Sequence, residues 1–245
     1  LCDLNGDGKP DLISGSSTAN TASVLLNTTT PGALTPSFTA RTDFAIGTTS
    51  RSISFSDVNG DGKPDILAGN SGSATVSVLL NTTPTGNSTP SFSAKTDFTT
   101  GSNPQSLTTG DLNGDGKPDF AVLNLASSTI SFFLNTTTTG SSTPTYSPRT
   151  DLTVSGASSL SIRDINGDGI PDLVETSGSQ TFFSVFLNTT ALPLPVELAS
   201  FTSSVNSNNV TLNWSTVQEQ NNKGFEIERN SFGAGWKKIG YVEGH

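Results

Sequence analysis

Polar and apolar side chains alternate one for one along residues 52–56, where Ile53 and Phe55 stand between serines. That is the period of a strand with one buried face. A loop rich in Asp and Gly follows, then a short apolar run, Ile66, Leu67 and Ala68, ended by Gly69 and Asn70. Residues 74–80 form a β-branched stretch carrying Val76 and Val78, stopped by Asn81-Thr82-Thr83-Pro84. After a turn-rich segment over 85–90, residues 91–98 alternate again, with Phe92 and Phe98. This reads as four short strands joined by turn chemistry, and no stretch shows a helical period.

The unit recurs. VLLNTT at 24–29 and 78–83, FFLNTT at 132–137 and VFLNTT at 185–190 mark the third strand and its end. RTDF at 41–44, KTDF at 95–98 and RTDL at 149–152 mark the fourth. The loop reads DLNGDGKPD at 3–11, DVNGDGKPD at 57–65, DLNGDGKPD at 111–119 and DINGDGIPD at 164–172. Its first aspartates are spaced by 54, 54 and 53 residues, a period that marks stacked supersecondary units. A four-stranded antiparallel unit of this length suits a propeller blade, which buries its faces only against other blades. Ile53, Phe55, Val76, Val78 and Phe92 are therefore expected in inter-blade cores. The predicted class is all-β: a partial β-propeller of four-stranded antiparallel blades, with a truncated β-sandwich segment at the C-terminus.

The loop is the candidate chemistry. Counted from its first aspartate, positions 1, 3, 5 and 9 are Asp, Asn, Asp and Asp in every copy. Oxygen donors at alternate positions converge when the chain wraps tightly, and Gly at position 6 permits that turn. Position 7 offers only its carbonyl, which fits the change from Lys to Ile in the last copy. The expected ligands are Asp3, Asn5, Asp7, Lys9 and Asp11; Asp57, Asn59, Asp61, Lys63 and Asp65; Asp111, Asn113, Asp115, Lys117 and Asp119; and Asp164, Asn166, Asp168, Ile170 and Asp172. Three carboxylates, an amide and a carbonyl suit Ca2+ over Mg2+, so up to four Ca2+ are expected. Without a cation, two carboxylates about 4 Å apart repel by roughly 4 kcal/mol at an effective dielectric of about 20. An EF-hand needs Glu at position 12 and flanking helices. Position 12 is Ser14, Ala68, Val122 and Glu175, and the flanks read as strands.

Charge follows from the loops. Twelve of the 21 acidic residues are loop aspartates, and the formal charge of −9 would be nearly balanced by four Ca2+. This acidity argues against nucleic acid, which selects a basic stripe. One cysteine, Cys2, and one histidine, His245, exclude an internal disulfide and Cys/His zinc or catalytic pairs. No apolar run approaches a membrane helix. The chain starts inside a repeat and without Met, as a fragment would, so the missing signal peptide says nothing of the parent protein.

The repeat ends after Asn188. Residues 191–195, Ala-Leu-Pro-Leu-Pro, read as a stiff linker. Strands are expected over 196–202, 209–215, 224–229 and 236–242, with Val210, Leu212 and Trp214 sharing one face. Trp214 is expected in a sandwich core rather than as a sugar platform. Asn27, Asn81, Asn135 and Asn188 stand in Asn-X-Thr sequons and read as turn residues. Glu175, Glu226 and Glu228 have no evident catalytic partner.

With its period of 53–54 residues, the D-x-N-G-D-G-x-P-D loop between strands resembles the FG-GAP/VCBS repeats of integrin-α-type propellers. The resemblance covers residues 1–190, about three and a half blades, whereas that family closes with seven. It implies side-chain ligands at positions 1, 3, 5 and 9, a backbone carbonyl at position 7, and an extracellular or cell-surface location. Residues 191–198 form the Pro-rich linker and strand entry. Residues 196–245 resemble the N-terminal part of the fibronectin-III-like segment of type IX secreted proteins of Bacteroidota and Ignavibacteria. The function these resemblances imply is a non-catalytic calcium-binding module in adhesion or scaffolding, its partner a surface protein or glycan. The alternative is a glycan-binding accessory region of a secreted polysaccharide-active enzyme whose catalytic domain lies outside the chain.

Overall fold

The computed structural model describes residues 1–177, 183–189, 196–206, 209–219, 224–231 and 235–243. The described residues are all-β, and no helix is long and apolar enough to cross a membrane. Two compact units are distinguished, one of Leu1–Leu112 with Lys117–Thr189, the other of Asn113–Gly116 with Thr190–His245.

The first unit is a row of antiparallel sheets in meander order. The second sheet runs β4 (Ser50–Ser56), β5 (Asp65–Asn70), β6 (Thr75–Leu79) and β7 (Thr96–Thr99). The third repeats it with β8 (Pro104–Gly110), β9 (Asp119–Asn124), β10 (Thr129–Phe133) and β11 (Thr150–Thr153). The first sheet has three strands, β1 (Leu12–Gly15), β2 (Thr21–Leu25) and β3 (Thr42–Ala45). So does the fourth, β12 (Ala157–Arg163), β13 (Asp172–Ser177) and β14 (Phe183–Phe186). This is the partial propeller that the period predicts, with β4, β8 and β12 side by side as the first strands of successive blades.

The central strands β5 and β9 are buried at every residue. A strand covered on both faces reads as a continuous apolar run, which explains why Ile66, Leu67 and Ala68 do not alternate. Ile66 and Ala68 join Leu4, Val24 and Leu26 in a core between the first two blades. Leu67 points the other way, into a core with Val76, Val78, Phe120, Val122 and Phe133. Ala121 and Leu123 enter a third core with Leu160 and Leu173. Val76 and Val78 are fully buried, and Ile53, Phe55 and Phe92 pack partly buried against the core of the first two blades, as expected.

The fourth strand is shorter than the alternation over 91–98 predicts. Phe92 makes an isolated bridge to Asn81, and the paired strand begins only at Thr96. Between them the Ser93 hydroxyl accepts the Leu80 N–H at 2.9 Å, a side chain taking the place of a ladder carbonyl. Thr39 and Ser147 do the same to Leu26 and Leu134. The Asp of each Thr-Asp-Phe/Leu motif fastens this strand to the third. Asp43, Asp97 and Asp151 accept the hydroxyls of Ser23, Ser77 and Ser131 at 2.6 Å. Each also pairs with a nearby cation, Arg41, Lys95 or Arg149.

In the second unit, β15 (Val196–Asn206) pairs with β16 (Asn209–Glu219), and β17 (Gly224–Ser231) with β18 (Gly235–Glu243). All four strands predicted after the linker are present, and the linker itself lies outside the described residues. Trp214 is half-buried with its ring 5.5 Å from that of Phe225.

Candidate metal loops

The second, third and fourth acidic loops each join the first strand of a blade to the strand beside it, β5, β9 or β13, and the first loop leads directly into β1. In the second loop the Asp61 N–H points at two oxygens at once, Asp57 Oδ1 at 3.0 Å and Asn59 Oδ1 at 3.3 Å. Positions 1 and 3 therefore present oxygens to the same interior point. Gly62 N–H donates to Asp57 Oδ2 at 2.8 Å and Lys63 N–H to Asp61 Oδ1 at 3.0 Å. This wrap needs a positive φ at Gly62, +85°, which is why position 6 is glycine. The first loop repeats the same bonds around Asp3, Asn5 and Asp7. The fourth keeps three of them around Asp164, Asn166 and Asp168, while Asp164 Oδ1 accepts the Gly167 N–H at 2.7 Å in place of the Asp168 N–H. In the third, the Asp115 N–H donates to Asn113 Oδ1 at 3.1 Å.

The position-9 aspartate is placed differently from the others. Asp65 is fully buried at the head of β5. One of its oxygens accepts the Val58 N–H at 2.8 Å and the other the Asn81 N–H at 2.7 Å. Asp11, Asp119 and Asp172 accept the equivalent pairs. Burial pushes the Asp65 carboxyl up to about 6, against the pull of its two N–H donors and helped by Asp61 and Asp57. Asp11 is raised for the same leading reason. Asp172 is lowered, because the N–H groups of Asn188 and Ile165 outweigh burial.

Sequence reading missed two features. Position 4 is also glycine for a structural reason. Gly60 has φ +66°, and an added Cβ would lie 3.3 Å from Thr139 Cγ2 of the following blade. Three of the four Asn-Thr-Thr asparagines read as turn residues, Asn81, Asn135 and Asn188, are bridges. Asn81 Nδ2 donates to Leu4 O of the first loop at 2.8 Å and to Pro64 O of its own at 3.1 Å. Its Oδ1 accepts the Thr83 N–H at 2.9 Å. Asn135 and Asn188 reach Val58 O and Leu112 O in the same way, at 2.9 and 2.8 Å. The partners are 76–77 residues apart, so the signal in the sequence was only the fixed register of the motif.

The donor set fits a hard cation. A carboxylate has about four acceptor positions and Asp65 uses two, so a buried oxygen can still face an ion. The Asn59 amide nitrogen is tied outward to Ser141 O at 3.0 Å, which keeps its oxygen on the loop side. In the first loop Lys9 Nζ stands 3.7 Å from Asp7 Oδ2, a weak and partly exposed ion pair. Among the described residues no three His, Cys, Asp or Glu side chains converge as a ready-made metal group. In this arrangement the carboxylates are turned onto loop N–H groups instead.

The family model described as FG-GAP-like repeat matches twice, over residues 3–68 and 57–122. Each match runs from one acidic loop through the next loop into the following central strand, so the matched stretch carries FG-GAP-like repeats. Residues 123–177 continue the same loop and strand pattern beyond it. No curated protein matches the chain.

Proposed function

We propose that the four loops are Ca2+ sites and that the repeats form a non-catalytic extracellular module serving adhesion or scaffolding. The observation that carries this reading is the recurrence of one loop geometry. Position-1 and position-3 oxygens face a common N–H in the first and second loops, each immediately before a strand that its position-9 aspartate begins or adjoins. Positions 1, 3, 5 and 9 would supply side-chain oxygens and position 7 its carbonyl. A bound Ca2+ supplies the positive charge that the clustered carboxylates lack and so fixes the head of each central strand. The non-catalytic reading draws on Glu175, the one of the three other candidate acids whose side chain is described. Glu175 is buried on β13, where Ser184 bonds its carboxyl, its Oε2 has no hydrogen-bond partner, and burial raises the group. The side chains of Glu226 and Glu228 lie outside the described set.

A protein or glycan at the cell surface is the proposed partner, with export provided by the parent protein. The test is calcium titration calorimetry of the whole chain. Binding of up to four ions, lost loop by loop in Asp61→Ala and Asp115→Ala, supports the reading. Unchanged stoichiometry in those variants refutes it.

A further inference from the structure

The bridging asparagines join neighbouring loops. Asn81 donates its side chain to the carbonyl of Leu4 in the first loop, while its backbone N–H holds Asp65 of the second. Asn135 links the second loop to Asp119 through Val58 O, and Asn188 links the third to Asp172 through Leu112 O. A second strut runs beside the first. The Gly86 N–H donates to Asn5 O at 2.6 Å, and Asn5 Nδ2 donates to Asn87 O at 2.9 Å. The Gly140 N–H and Ser141 O engage Asn59 in the same manner. Asn81 and Asn135 are almost wholly buried, so these bonds are not exchanged with water. Asn27 bonds Asp11, Pro10 O and the Thr29 N–H, all within its own blade.

We infer that Asn81, Asn135 and Asn188 couple the loops, so that an ion ordering one loop raises the affinity of the next. This rests on the cation reading above. An ion that fixes the backbone at position 2 of one loop fixes the carbonyl that the asparagine needs. The seated asparagine then orients the position-9 aspartate of the following loop. Two sites that share a two-state element in this way are linked in both directions. These are positioning residues, since none of them touches the ion.

The experiment is calorimetric titration of the full chain with Ca2+, for the native sequence, Asn81→Ala, Asn135→Ala and the control Asn27→Ala. Asn81→Asp is added because it keeps the acceptor for the Thr83 N–H while replacing the donors by a charged oxygen; circular dichroism confirms folding throughout. The native chain is expected to show later sites tightened by about fivefold or more. Asn81→Ala, Asn135→Ala and Asn81→Asp are expected to bind the same number of ions with that tightening reduced, and Asn27→Ala to retain it. Independent sites in the native chain, or tightening unchanged in Asn81→Ala and Asn135→Ala, overturn the coupling while leaving the cation reading intact. No heat from the native chain overturns both.

Discussion

Replacing Phe120 by alanine tests whether the blades share cores. Phe120 is fully buried on β9 and faces the preceding blade. Its ring lies 4.5 Å from that of Phe133, nearly parallel, and 4.7 Å from that of Tyr146, edge on. Phe98, on β7 of the neighbouring blade, closes the cluster at 6.3 Å. Truncating a buried phenylalanine costs about 3–5 kcal/mol in transfer and cavity terms. The lost ring pairs place this site toward the upper end, because each aromatic pair adds about 0.5–1.5 kcal/mol beyond burial. The assay is urea unfolding in excess chelator, so that cation linkage does not enter, with Phe201→Ala as the exposed control. Phe120→Ala is expected to lower stability by about 4 kcal/mol, and the control by no more than about 0.5 kcal/mol. A loss below about 1 kcal/mol at Phe120 would refute the shared core, because an interface able to collapse or separate there is not one packed interior.

Tyr146 holds a buried hydroxyl without a partner, at a bridge position that carries Phe38 and Phe92 in the earlier blades. Tyr146→Phe is expected to raise stability by about 1 kcal/mol in the same assay, and a loss would contradict that placement. Asp65 has a folded value near 6, above the usual 3.8. Its contribution to stability is therefore present below pH 4 and lost as pH rises through about 6. In chelator, Asp65→Asn is expected to remove that fall from the pH profile of unfolding, and an unchanged slope would tell against it. Gly60→Ala places a Cβ at positive φ against Thr139 and is expected to cost roughly 1–2 kcal/mol from the left-handed conformation alone. A neutral effect by thermal melting would mean that the loop can re-form without that turn.

Much of the fold is legible where chemistry is local and repeated. Residues 74–80 read as a strand from their β-branched alternation and are paired over Thr75–Leu79. The acidic loop is legible because its spacing forces one wrap, and Gly62 has the conformation which that wrap requires. The start of the fourth strand was not legible, because the Ser93 hydroxyl imitates a ladder acceptor and leaves the alternation intact while pairing stops. The role of Asn81 was hidden for another reason. Its partner Leu4 O is 77 residues away, and only the stacking of two blades brings them together. The dual demand on Asp65, hydrogen-bond anchor and candidate ligand, is likewise invisible in a ligand pattern, since both uses select the same carboxylate.

The most direct measurement is thermal unfolding of the chain in saturating Ca2+ and in excess chelator, with Ca2+ titrated back by calorimetry. Bound at 100 times its Kd, each ion stabilises the fold by about 2.7 kcal/mol. A large chelator-sensitive shift and a stoichiometry near four, one ion per loop, are expected. Coincident melts and no binding heat would contradict the cation reading, leaving the loops as self-satisfied turns whose carboxylates serve only their own backbone.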